Sequence, residues 1–199
     1  MWVYQGIIRG NTVLNITLVA LLSYCTGSVI GAYYITKWMT GQDIRRLGSG
    51  NAGARNAGRE LGKKGFLYTL FVDVAKVMIA LSLTSLLFPE NKIMLLVSAF
   101  FLLIGHIWPI HLGRRGGKGV VVYLASTLFF VPMAIVVLGI IVGIGYLLIR
   151  NFTVSGLIAM LSIPVTAWIM REYYFGIGLF ILLIIVFIPH FRTKAEASV

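Results

Sequence analysis

The densest chemistry in the chain lies in one glycine-rich basic block set between apolar runs: Gly48-Ser49-Gly50-Asn51-Ala52-Gly53-Ala54-Arg55-Asn56-Ala57-Gly58-Arg59. A second block follows as Gly105-His106, Pro109 and Gly116-Gly117-Lys118-Gly119. Glycines let backbone N–H groups crowd a ligand, and Arg and Lys beside them suit a phosphate. Arg55 and Arg59 share a face if a helix begins near Asn56. The alternation of Ser, Asn and Gly before them favours an irregular loop, which has its bland reading as a flexible connector. The second block opens an apolar run, so a phosphate could rest on the N–H groups of that helix start with Lys118 as counter-charge. It is not a P-loop, because glycine follows Lys118 and no strand precedes it.

Other candidates are sparser. Asp73 and Lys76 stand one turn apart inside an apolar segment. Charges there are paired or functional, so the two either fix helix packing or shape a polar pocket. His106 is a candidate general base or a hydrogen-bonded structural histidine. His111 and His190 have no evident partners, and three scattered histidines make no metal site. No G-x-S-x-G elbow occurs, and no His is followed five residues later by Asp. The single cysteine, Cys25, excludes an internal disulfide and is expected to be inert packing.

The elements that must position these residues are membrane helices. Hydrophobic residues make up 59% of the 199-residue chain and its mean hydropathy is +0.94. That exceeds soluble domains and predicts an all-α polytopic integral membrane protein, organised as one domain over 1–199. About seven transmembrane helices are expected, near 13–36, 66–88, 93–108, 119–131, 133–149, 153–170 and 173–189, the long run from Val120 being split at Pro132. No cleaved leader is expected. The net charge of +11 is spread over short loops, which excludes a nucleic-acid partner. With the N-terminus outside and the C-terminus cytoplasmic, seven basic residues of the loop 37–65 fall inside, as do Arg114, Arg115, Lys118, Arg150, Arg192 and Lys194. Both glycine-rich blocks then face the cytoplasm, where positive charge gathers anionic substrates and membrane lipid head groups.

At these blocks the chain resembles the bacterial membrane-integral glycerol-3-phosphate acyltransferases that use acyl phosphate. The resemblance runs through Gly27-Ser28 with Gly31, Asp43-Ile44-Arg45, Gly48 to Arg59, Leu61-Gly62-Lys63-Lys64, Asp73 with Lys76, Gly105-His106 and Gly116 to Val120. It implies transfer of a fatty acyl group from acyl phosphate to the sn-1 hydroxyl of glycerol 3-phosphate, the first step of phospholipid synthesis. The products are lysophosphatidic acid and phosphate, and neither cofactor nor metal is needed. It also implies a multi-pass protein of the bacterial inner membrane, with the enzyme that produces acyl phosphate as an expected partner.

By position, the resemblance places Ser49, Arg59, His106 and Lys118 in the catalytic centre. It gives Gly50, Asn51, Asn56, Lys63, Lys76, Gly116, Gly117 and Gly119 to substrate binding. The base that takes the hydroxyl proton is either His106 or a substrate phosphate oxygen. The chain departs from the family pattern at Arg55 (usually Thr), at Arg114-Arg115, and at Val121-Val122. The largest departure is the C-terminal motif, where His190, Arg192 and Glu196 match only loosely. That last difference keeps a divergent paralogue in view. The other reading is a membrane binder or transporter of a phosphorylated lipid or polyol, against which the clustering of the motifs at one face counts.

Overall fold

The computed structural model describes residues 11–196, with side chains over 11–189. Every regular element among the described residues is helical. The side chains of His190, Arg192, Lys194 and Glu196, and all of Arg9, lie outside that description.

The chain divides into two compact units meeting between Val122 and Tyr123. The first unit holds α1 (Thr12–Gly27), α2 (Gly31–Thr40), a 3-10 turn (Ile44–Arg46), α3 (Ala54–Leu87), α4 (Lys92–Ile107) and a second 3-10 turn (Ile110–Leu112). Helix α5 (Val120–Phe130) starts at its end and continues into the second unit. That unit then contains α6 (Pro132–Ile149), α7 (Phe152–Ala159), α8 (Ser162–Ile169) and α9 (Tyr173–Glu196).

Helix starts follow local chemistry. Asn11 accepts from the N–H groups of Val13 (3.1 Å) and Leu14 (3.3 Å), and so caps α1. Asn91 accepts from Met94 N–H at 3.1 Å and Asn151 from Thr153 N–H at 3.1 Å, capping α4 and α7 in the same way. Pro132 begins α6, where its missing N–H costs nothing. Among the described residues, five helical stretches are long and apolar enough to cross a membrane: Thr12–Thr40, Ala54–Leu87, Lys92–Leu112, Pro132–Ile149 and Phe152–Ile169. Val120–Phe130 and Tyr173–Pro189 are apolar but shorter.

Several expectations need correction. The first stretch is broken between α1 and α2 at Ser28–Ile30. The second starts at Ala54, twelve residues before the expected boundary, because Ala54–Leu61 is a helix rather than loop. Gly62, at φ 69° and ψ −163°, then turns the chain before the apolar arm 63–87. Cys25 is exposed on α1 rather than packed inside. Both sides of a membrane helix are apolar, so sequence pattern does not separate core from lipid face.

In the first unit α1 and α4 pack most extensively. A Cβ on Gly27 would overlap the Leu102 carbonyl, and one on Gly105 would overlap the Tyr24 carbonyl. Small residues thus let two backbones approach, as membrane helices require in the absence of a hydrophobic drive between them. Ser23 and Ser98 hydroxyls bond across this seam at 2.9 Å. At its site end, Ile30, Ala32, Ile44, Ala52, Ala57 and Leu112 form a small apolar core. Members of both glycine-rich regions contribute to that core, which fixes them to α2 and α3.

In the second unit α6 packs on α7 and α8, and α8 packs on α9. Ile163, Ala167, Leu179, Leu183 and Val186 are fully buried there, and Phe130 stacks on Phe175 at 4.5 Å.

Candidate functional site

The first loop is held by one buried side chain. Asn56, 2% exposed, accepts from Ser49 N–H at 3.0 Å through Oδ1. Its Nδ2 donates to the carbonyls of Leu47 (3.0 Å) and Ile44 (3.4 Å). A single amide thereby closes the turn that carries Gly48, Ser49 and Gly50, all three exposed. The Asn51 amide lies over Gly53, the residue that precedes α3.

Arg45 ties this loop to the second. Its guanidinium grips Asp43 through Nε (3.0 and 3.1 Å) and Nη2 (2.6 Å), and Nη1 donates to the Leu112 carbonyl. The guanidinium also lies 5.2 Å from the Tyr33 ring centre, within cation–π range. The side-chain hydrogen bond from Arg45 lowers the Asp43 carboxyl below its ordinary value, and the same bond raises Arg45. Nearby, His111 bonds the Tyr34 hydroxyl at 3.2 Å, so it has a partner that the sequence did not suggest.

The second loop is seated on the end of α4. Gly116 N–H donates to the Ile107 carbonyl and Gly117 N–H to the His106 carbonyl, each at 3.1 Å. There is no room for a side chain at Gly117: a Cβ would overlap His106 Nε2 and come within 3.0 Å of the Ala52 carbonyl. The two glycine-rich segments, more than sixty residues apart in sequence, therefore touch at Gly117 and Ala52. Lys118 is half-buried beside this contact, and desolvation pulls its ammonium below the ordinary lysine value. Gly119, at φ 82°, turns the chain into α5.

Beneath the loops lies a charged cluster. Lys76 Nζ is surrounded by the Val29 carbonyl (2.6 Å), His106 Nδ1 (2.8 Å), Asp73 Oδ1 (2.9 Å) and the Gly27 carbonyl (3.1 Å). Asp73 Oδ1 also accepts from Gly31 N–H at 3.2 Å. The pair thus mends the break in the first apolar stretch. The ammonium meets the orphan carbonyls at the end of α1, and the carboxylate meets an orphan N–H at the start of α2. Each charge has the sign its helix end prefers. Asp73, Lys76 and His106 are 1%, 6% and 2% exposed.

A shallow cavity of about 430 Å³ lies at the Gly62 turn, lined from both of its arms by Arg55, Gly58, Arg59, Gly62, Lys63, Phe66 and Leu67. Its lining joins the cations Arg55, Arg59 and Lys63 to the apolar side chains of Phe66 and Leu67. Such a groove suits an amphiphile with an anionic head.

The structure thus brings Ser49, Gly50, Asn51 and Asn56 into one loop and joins it to Gly116, Gly117, Lys118 and Gly119 through Ala52. Arg59 and Lys63 share the groove. Lys76, expected to bind substrate, has its ammonium taken up by protein groups, and His106 is buried between Lys76 and Gly117. Arg45 was absent from the expected site set. Asp43-Ile44-Arg45 enters the sequence reading only as part of the resemblance, which says nothing of Leu112.

Three comparisons bear on this arrangement. The family model described as glycerol-3-phosphate acyltransferase matches residues 17–196. Glycerol-3-phosphate acyltransferase 1 of Desulfitobacterium hafniense (strain Y51) is 41% identical over 176 residues, which is 87% of this chain and 86% of that protein. Its namesake from Bacillus thuringiensis subsp. konkukian (strain 97-27) is 36% identical over 92% of this chain and 99% of its own length. Among solved structures, PlsY, an integral membrane glycerol 3-phosphate acyltransferase in its glycerol 3-phosphate form, superposes with a TM-score of 0.76. It is 24% identical, with 92% of each chain covered, and supports the fold. With a match along almost its whole length and relatives this similar over most of theirs, the chain belongs to the glycerol-3-phosphate acyltransferase family.

Proposed function

We propose that this multi-pass membrane protein moves a fatty acyl group from acyl phosphate to the sn-1 hydroxyl of glycerol 3-phosphate. The hydroxyl oxygen attacks the acyl carbonyl carbon, the bond from that carbon to the phosphate oxygen breaks, and the hydroxyl proton leaves with the phosphate. The products are lysophosphatidic acid and inorganic phosphate, and the balance needs no coenzyme A. The observation that carries the reading is the meeting of two glycine-rich, cation-bearing segments at Gly117 and Ala52. Both reactants carry phosphate, and such a junction offers positive charge for each.

In this reading Ser49, Arg59 and Lys118 stabilise charge on the phosphates and the developing oxyanion, while Asn51, Asn56 and the glycines 50, 116, 117 and 119 shape the loops. The groove with Arg59, Lys63, Phe66 and Leu67 accepts the acyl-phosphate head and the first carbons of its chain. A substrate phosphate oxygen takes the hydroxyl proton. The burial of His106 and the engagement of its Nδ1 by Lys76 favour that choice over His106 as base. Most of the rate then comes from positioning and electrostatics.

The chain works as one domain in the bacterial inner membrane, with the site at the cytoplasmic face. Charge supports that side, because the loops around the site carry most of the Lys and Arg residues. Acyl phosphate reaches it from the enzyme that makes it. The test is product identity: purified chain in lipidic medium, given both substrates and no coenzyme A, should release phosphate and lysophosphatidic acid in equal amounts. Phosphate release without the acylated product would reduce the reaction to hydrolysis and remove the acceptor from the account.

A further inference from the structure

Resting on that acyl-transfer reading, we propose that Lys76 is a positioning residue for the glycine-rich segment 116–119, acting through His106 and never touching substrate. Four protein groups surround its nitrogen within 3.1 Å, and only 6% of the residue is exposed. An ammonium has only donors, so toward His106 it donates, and Nδ1 must be the bare nitrogen. The ring proton is then on Nε2. That atom fills the space a Gly117 Cβ would need, and the position of such a Cβ lies 3.0 Å from the Ala52 carbonyl. The tautomer set by Lys76 therefore presents an N–H to the seam where the two glycine-rich segments meet. The same histidine holds Gly117 from behind, since its carbonyl accepts the Gly117 N–H at 3.1 Å.

Asp73 completes the device. Its Oδ1 holds Lys76 at 2.9 Å and the first N–H of α2 at 3.2 Å. Lys76 in turn holds the carbonyls of Gly27 and Val29. The helix break, the ion pair, the imidazole and the second loop form one continuous set of contacts. Without the Lys76 nitrogen, neither the tautomer nor the rotation of the His106 ring is fixed, and Gly117 loses a firm support. With the acyl-phosphate head assigned to the groove of Arg59 and Lys63, the acceptor's phosphate falls to the segment 116–119, so the defect falls on acceptor binding.

The experiment uses the full chain in lipidic medium. Lys76→Met should raise KM for glycerol 3-phosphate about tenfold and leave KM for acyl phosphate within about twofold. His106→Ala should do the same, and the double variant should be no worse than His106→Ala alone, because the two residues act in series. Hydrogen exchange over residues 113–119 should quicken about tenfold in Lys76→Met. This last readout needs no turnover, so it separates the two claims: an inactive wild-type chain would sink the acyl-transfer reading and leave exchange to decide the positioning role. Losses that multiply in the double variant would mean that Lys76 acts independently of His106 and would overturn the proposal. Unchanged exchange in a folded Lys76→Met protein would overturn it too. Should Lys76→Met fail to insert, Asp73→Asn keeps an acceptor for Gly31 while withdrawing the counter-charge. Faster exchange at 113–119 in that variant supports the relay, and unchanged exchange refutes it.

Discussion

At the scale of single residues, two ionisable groups outside the spans tie pH to the site. Lys118 is half-buried, and desolvation lowers its ammonium below the ordinary lysine value. Its charge is therefore lost as pH rises through that lowered value, taking phosphate affinity with it. Lys118→Arg, whose guanidinium stays charged, should move the alkaline decline of glycerol 3-phosphate binding to higher pH. A profile of KM against pH checks this, and an unmoved decline assigns it to another group. Asp43 has the opposite sign. Arg45 lowers its carboxyl from the ordinary 3.8, so the stabilisation is complete above that pH and is lost as pH falls through the lower folded value. Asp43→Asn should cost about 1 kcal/mol at neutral pH, because the pair is partly exposed, and should cost nothing once the carboxyl is protonated. Thermal unfolding in detergent at neutral and strongly acid pH reads the difference.

At the scale of elements, the account turns on two interruptions in helices. The first, at Ser28–Ile30, exposes backbone groups that Lys76 and Asp73 satisfy. The second, at Gly62, folds the short helix 54–61 back, so that Phe66 packs over Gly58 and Leu61 crowds Gly65. Gly62 has open space around it but a backbone conformation that side chains disfavour. Gly62→Ala should therefore destabilise by about 1–3 kcal/mol through strain alone. It should also weaken acyl-phosphate binding by opening the groove, with a lower melting temperature and a raised KM as the two readouts. What the sequence made legible here was chemical punctuation: Pro132 and the glycine blocks. The helix 54–61 was legible only as the face that Arg55 and Arg59 would share, because Asn56 and Gly58 also read as loop. The Lys76–His106 contact stayed hidden because the residues lie thirty positions apart on different helices. The outward face of Cys25 was illegible because lipid and core select the same apolar side chains.

At the scale of the whole molecule, the orientation proposed from charge is open to direct test. In a Cys25→Ser background, a membrane-impermeant thiol reagent should label Glu90→Cys in intact cells and reach Arg46→Cys only after the membrane is opened. The reverse pattern would turn the site to the other side. The C-terminal departure bears on the same scale, since His190, Arg192 and Glu196 match the family's third motif only loosely. If acyl transfer persists in this chain, the first two segments suffice for chemistry. The most direct test of the central claim is therefore the steady-state turnover of wild-type, Arg59→Ala and Lys118→Ala proteins with acyl phosphate and glycerol 3-phosphate in lipidic medium. The account predicts lysophosphatidic acid from the wild type and a loss of about a hundredfold or more in each folded variant. Full activity in both variants would contradict it, because the site would then lie elsewhere.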